Sequence, residues 1–158
     1  MGGPLVPLVV IVLMISLLAT YQNNTKLVTP QPYTLQMNND ATTFLAYRNS
    51  VTSYLQVNPS FTGSVPAASL PAQFSTAFLA GAGNFVTATG TGTVITCWAK
   101  VANGAAQQAM TLAGVDPSIG TSNGSTWVTA APAAVVAPVV LTTTVPAGDI
   151  VSVIQIGE

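Results

Sequence analysis

The chain has 158 residues, of which three are basic, four are acidic and none is histidine. Charged side chains make up 4% of the sequence, whereas soluble domains average about 25%. Because no basic patch can neutralise phosphates, this composition excludes a nucleic-acid-binding protein. The lack of histidine removes the commonest general base and metal ligand, and a single cysteine cannot form an intrachain disulfide.

The first element along the chain is an apolar run over residues 4–19 that contains no charged side chain. Its length lies at the short end of the roughly 17–25 residues that cross a membrane as a helix. Pro4 and Pro7 fall in the first turns, where a missing backbone N–H costs little. We interpret residues 1–20 as a retained transmembrane signal-anchor, in which residues 4–20 contact the lipid bilayer.

A cleaved signal peptide remains an alternative for this segment. It would need a basic n-region and a small-residue cleavage site, but Leu17-Leu18-Ala19 places a large residue where a small one is required. Orientation rests on composition, because the amino terminus and Lys26 hardly bias insertion either way. A body whose polarity comes from Thr, Ser, Asn and Gln is typical of exported bacterial domains. We therefore expect a single-pass protein of the bacterial inner membrane with its C-terminal domain in the periplasm.

Two further regions follow the anchor. Residues 21–36 form a polar connector with two prolines and few apolar side chains. Residues 37–158 are numerous enough for one domain with a modest hydrophobic core. We expect this single domain to carry the function.

The clearest element of the domain is an amphipathic helix from about Asn39 to Asn58. Asn38, Asn39 or Asp40 can cap its start, and Asn58 before a proline ends it. Arg48 lies at the edge of the apolar stripe, where its stem can pack while its head stays in water. The opposite face is the candidate surface for a partner protein and carries Thr43, Asn49 and Ser53. The apolar residues recur at three- and four-residue spacing and share one stripe: Ala41, Phe44, Tyr47, Val51, Tyr54 and Leu55.

A hairpin follows further along the chain. Strands over about residues 85–89 and 93–101 are joined across Gly90-Thr91-Gly92. Alternation in the second strand predicts that its more apolar face points inward: Ile95, Cys97, Ala99 and Val101.

Shorter elements complete the domain. One short helix is predicted to begin near Pro71, and another to end at Gly114. STWVTA predicts a short strand, and IVSVIQIGE predicts the last strand after a Pro-Ala-Gly-Asp turn. Helices packed on an antiparallel sheet give a two-layer α+β domain.

No residue is assigned to catalysis, to a cofactor or to a metal. Cys97 has no histidine partner and is expected to be a small buried hydrophobe. The GAGNFVTATGTG stretch is followed by strands and by no Lys-Ser/Thr pair, so it is not a phosphate loop. Trp98 and Trp127 are expected to pack in the core or on the sheet. The remaining candidates are scattered carboxylates, assigned to a cap and to turns: Asp40, Asp116 and Asp149.

Four stretches carry a resemblance to a known family: the apolar N terminus, FLAYRNSVTSYLQVNPSFTGSV, TCWAKVANG and VDPSIGTSNGSTWV. Together they resemble the small PilM inner-membrane proteins of type IVB thin-pilus systems on conjugative plasmids and related bacterial loci. The likeness covers nearly the whole chain. It implies a non-enzymatic accessory component of type IV pilus assembly or its basal body, with other pilus-assembly proteins of the cell envelope as partners.

The alternative function is a pilin-like structural subunit that polymerises through its N-terminal helix. A pilin-type segment resembles a short basic leader ending in Gly, then a helix with Glu at the fifth mature position. Here the fifth residue after Gly3 is Leu8, and no Lys or Arg precedes it. The pilin-like subunit is therefore the weaker hypothesis. The sequence does not decide whether the chain forms a homo-oligomer.

Overall fold

The computed structural model describes residues 32–131 and 137–157. This part of the chain contains three α-helices, α1 (Pro32–Val57), α2 (Thr76–Gly81) and α3 (Ala105–Leu112), and a 3-10 turn at Ala67–Ser69. None of these helices is long and apolar enough to cross a membrane. The predicted anchor, residues 1–20, lies outside the described residues and stays a prediction.

Helix α1 begins earlier than the sequence predicted. It already includes Pro32, the first described residue, so the last residues of the predicted connector are helical. Asp40 is therefore not a cap. It lies inside the helix, and its Oδ2 accepts a hydrogen bond from Ala102 N at 2.8 Å. The helix ends as predicted, where Asn58 Nδ2 donates to Tyr54 O at 2.9 Å.

For the two short helices, the predicted start of α2 is wrong and the predicted end of α3 is confirmed. Helix α2 begins at Thr76 and not near Pro71, because Ser75 Oγ caps it by accepting a hydrogen bond from Phe78 N at 3.1 Å. Helix α3 ends just before Gly114, as predicted, and Gly114 takes the positive φ of +78° that suits a residue after a helix.

Six strands of the described residues form one antiparallel sheet, in the order β1-β2-β6-β3-β4-β5. The C-terminal strand β6 therefore lies in the middle, between β2 and β3. Strands β1 and β2 form the predicted hairpin, and β5 is a short edge. The fold is α+β, as predicted. The strands are β1 (Ala82–Thr89), β2 (Gly92–Ala99), β3 (Ile119–Ser122), β4 (Thr126–Thr129), β5 (Val139–Val140) and β6 (Ile150–Ile156).

The main core lies between the helices and one face of the sheet. Tyr54 is half-buried, and its ring meets that of Phe61 edge-on at 5.3 Å between centroids. The predicted inner face of β2 is confirmed at Ile95, Cys97 and Ala99, which are buried. Val101 lies beyond the end of the strand and is half-buried. The predicted stripe of α1 is confirmed as well, and its buried members are Ala41, Phe44, Tyr47, Val51 and Leu55.

The opposite face of the sheet is also covered, which the two-layer prediction did not include. Thr96 lies on that face of β2 and is fully buried. The chain between β5 and β6 supplies part of the cover through Leu141 and Val145. The result is a second, smaller cluster made of Trp127, Leu141, Val145 and Val151, with Trp98 and Val153 packed against it.

Strand β3 was not predicted from the sequence. Its four residues, IGTS, include a glycine and two small polar residues, so they carry little β-propensity. Gly120 is nevertheless required, because a Cβ there would collide with Val128 O and come within 2.7 Å of Trp127 Cε3. Pairing with β4 and β6 makes this segment a strand.

Candidate functional site

Three charged side chains of the domain are held in contacts within the chain, namely Asp40, Arg48 and Asp116. Arg48 Nη1 donates to Asp116 Oδ2 at 2.7 Å, and the Arg48 side chain is only 13% exposed. The prediction that its head stays in water is wrong, because the guanidinium joins α1 to the turn after α3. Burial by itself would raise the pKa of Asp116, but hydrogen bonds from Ser118 and Arg48 hold that pKa below its usual value.

Asp149 lies in the predicted turn before β6, after Gly148, whose φ is +90°. The residue is 7% exposed. Burial raises the pKa of its carboxyl, and the charge of Lys100 opposes the rise. Within the described residues, no group of three or more His, Cys, Asp or Glu side chains is arranged to hold a metal ion.

Cys97 is buried in the centre of the sheet. It is 1% exposed, with Asn84 opposite on β1 and Ser152 opposite on β6. Burial raises the pKa of its thiol to about 12, although the charge of Arg48 opposes the rise. The thiol is therefore protonated at neutral pH, whereas the thiolate is the reactive form.

The outward face of α1 borders a groove of about 500 Å³, which we call the α1 groove. Asn49 and Ser53 are exposed and line this groove, while Thr43 is half-buried at the flank of the helix. Residues after the 3-10 turn, among them Pro71 and Gln73, form the other wall. No charged side chain lines the α1 groove.

A buried polar network joins α1 to β1 and was not predicted. Asn84 Nδ2 donates to Tyr47 Oη at 2.8 Å and to Val65 O at 3.2 Å, and Asn84 Oδ1 accepts from Val65 N at 2.7 Å. Tyr47 also packs edge-on against Phe74 and Phe78. In the sequence, Tyr47 is part of an apolar stripe and Asn84 precedes a predicted strand. Neither feature predicts a hydrogen bond between the two side chains.

A family model described as PilM matches residues 10–153 of the chain. The chain belongs to the PilM family. The match spans the first nine of the ten described helices and strands and most of the last one. No curated protein and no solved structure matches the chain. Membership of the PilM family associates the chain with pilus assembly. The resemblance seen in the sequence is confirmed at the level of the PilM family.

In this PilM-family domain we predict that Cys97 stabilises the fold and has no direct role in assembly. Cys97→Ser places a hydroxyl in an apolar site and should lower the free energy of unfolding by about 1–3 kcal/mol. Thermal unfolding checks this, with Cys97→Ala as the control that keeps the site apolar. Loss of pilus assembly by Cys97→Ser at unchanged stability and abundance would contradict the prediction.

Proposed function

We propose that the chain is a non-enzymatic accessory component of type IV pilus assembly in the bacterial inner membrane. Residues 1–20 serve as the anchor, and the domain of residues 37–158 lies in the periplasm and acts through contacts with other pilus-assembly proteins. The PilM match over residues 10–153 carries this proposal. The geometry supports it, because Asp40, Arg48 and Asp116 hold the fold together and Cys97 is buried.

Cell fractionation tests the proposal against its alternative. An assembly component should remain in the inner membrane and be missing from pili sheared from the cell surface. A pilin-like subunit, which polymerises through its N-terminal helix, should appear in the sheared pili. Recovery of the chain from sheared pili in amounts comparable to the main subunit would overturn the proposed function.

Mass spectrometry of the purified membrane protein tests the anchor separately. We expect the mature chain to start at Met1 or Gly2, because the apolar run lacks a suitable cleavage site. A start near Thr20 would show that a signal peptide is removed. A start at Pro4 would instead favour the pilin-like subunit.

We further propose that the partner contacts the outward face of α1 along the α1 groove. Asn49→Glu and Ser53→Glu each place a charge on an exposed, uncharged surface, so they should abolish docking of the partner and leave thermal unfolding unchanged. Thr43→Glu should also impair docking, but with some loss of stability, because Thr43 is half-buried. Pilus assembly and thermal unfolding of each variant are the measurements.

Gln107→Glu is the matched control for these variants, because Gln107 is an exposed residue on α3 and lies away from the α1 groove. It should assemble pili normally. Normal assembly by all three α1 variants would show that this face of the helix is not the docking surface.

A further inference from the structure

A cavity of about 220 Å³ lies where α1, the 3-10 turn and the start of β1 meet. We call it the Tyr47 cavity. The residues that line it include Tyr47, Trp98, Leu70, Leu79 and Ser64. No charged side chain lines it. It is separate from the α1 groove, with which it shares no lining residue.

The buried network leaves the Tyr47 hydroxyl proton unused. Val65 N can only donate and Val65 O can only accept, so they fix the orientation of the Asn84 amide. Asn84 Nδ2 must then face Tyr47 Oη, and the phenol oxygen acts as the acceptor in that 2.8 Å bond. Its own proton has no acceptor among the side chains and backbone groups of the described residues. A buried donor of this kind favours a ligand that accepts a hydrogen bond.

A second donor stands in the wall of the Tyr47 cavity. The indole of Trp98 lies across Gly83 so closely that a Cβ there would collide with the ring and come within 2.9 Å of Nε1. The absence of a side chain at Gly83 therefore lets the ring form a wall. Trp98 is half-buried, and its Nε1 has no hydrogen-bond partner within the described part of the chain.

We propose that the Tyr47 cavity binds a short uncharged peptide segment of a partner protein, receiving one apolar side chain and an adjacent backbone carbonyl. The two unused donors call for an acceptor such as a carbonyl, and the uncharged lining disfavours an ionic ligand. The volume of about 220 Å³ favours a single peptide residue, because it is smaller than the roughly 300–1,000 Å³ of sites for drug-sized molecules. This inference rests on the proposed function, since it names a contact through which the domain would engage its partner.

The test uses the full chain in detergent micelles with ¹⁵N-labelled tryptophan and N-acetyl-leucine methylamide as the probe. The chain has two tryptophans, so each indole N–H gives its own signal. We expect a saturable shift of the Trp98 signal in the millimolar range. The Trp127 signal should stay in place, because Trp127 does not line the Tyr47 cavity and its Nε1 is buried. The glycine analogue of the probe, which lacks the apolar side chain, should bind more weakly.

Two substitutions report on the site. Tyr47→Phe keeps the ring but removes the hydroxyl, which is both the unused donor and the acceptor for Asn84 Nδ2. It should weaken binding about tenfold, with Tyr54→Phe as the matched control. Should Tyr47→Phe fail to fold, Ala67→Phe provides a second test, because Ala67 is exposed and lines the cavity. Ala67→Phe should block binding, whereas Ala68→Phe, at the neighbouring exposed position outside the lining, should not.

Absence of any Trp98 shift, equal shifts of both indole signals, or equal binding to the Ala67→Phe and Ala68→Phe variants would each overturn the inference. None of these results alters where the chain fractionates in the cell. Failure of the inference is therefore distinguishable from failure of the proposed function.

Discussion

Replacing Phe44 with alanine should lower the free energy of unfolding of the domain by about 3–5 kcal/mol. Phe44 is fully buried at the centre of the α1 stripe, where it packs between the helix and the sheet. A helix is only marginally stable in water without such packing, so the loss is not confined to one side chain. It amounts to a large part of the roughly 5–15 kcal/mol that stabilises a small domain.

Thermal unfolding of the full chain in detergent, followed by near-ultraviolet circular dichroism, measures this effect. Val57→Ala is the control on the same helix, because Val57 is 81% exposed. It should change stability by no more than about 0.5 kcal/mol. Wild-type unfolding by Phe44→Ala would mean that the stripe of α1 is not the face that holds the domain together.

Removing the Asp116 carboxylate should be the second large effect. Asp116→Ala takes away the acceptor for Arg48 and leaves its guanidinium, 13% exposed, without its partner. It also removes the hydrogen bond from Ser118 N to Asp116 Oδ1. We expect a loss of about 2–4 kcal/mol at neutral pH, between the values for a charged hydrogen bond and for a fully buried ion pair.

The loss of stability caused by Asp116→Ala should depend on pH. The pKa of Asp116 is lower in the folded state than its usual value of about 3.9, so its contribution is fully present above that pH. It is lost as the pH falls through the lowered folded-state pKa. The difference between wild type and Asp116→Ala should therefore shrink below about pH 4. A difference that stays constant from neutral pH to pH 2 would show that the carboxylate charge contributes nothing.

Asp149→Asn should act in the opposite direction. Burial raises the pKa of Asp149, with Lys100 opposing, so the ionised carboxylate disfavours the folded state at neutral pH. The neutral amide should leave the domain equally or more stable at pH 7, and this gain should vanish in acid, where the wild-type carboxyl is protonated as well. Destabilisation by Asp149→Asn at pH 7 would contradict the conclusion that the ionised Asp149 carboxylate disfavours the folded state. The same thermal unfolding experiment measures all three variants.

The candidate sites differ in how far the sequence could locate them. Asn49 and Ser53 lie on the polar face of a periodic helix, so their exposure follows from spacing alone, and the structure adds the wall formed by Pro71 and Gln73. The Tyr47 cavity had no such signal. It depends on Asn84 reaching Tyr47 of α1 and on Trp98 lying beside β1. No spacing rule relates Tyr47 to Asn84, which lies 37 positions away.

The sequence by itself determined the local elements with strong signals. The spacing of Ala41, Phe44, Tyr47, Val51 and Leu55 defined the buried face of α1, since helical periodicity needs no partner to be recognised. The alternation of Ile95, Cys97 and Ala99 defined the inner face of β2 in the same way.

Only the tertiary structure decided what depends on contacts between distant residues. The IGTS segment becomes a central strand because β4 and β6 flank it, not because of its own propensity. Arg48, at the edge of a stripe, is withdrawn from water because the turn after α3 brings Asp116 within 2.7 Å. Thr96, on the polar side of β2, is buried because the chain before β6 crosses that face. The strand formed by IGTS and the burial of Arg48 and Thr96 each depend on residues distant in the sequence, so no local sequence pattern could predict them.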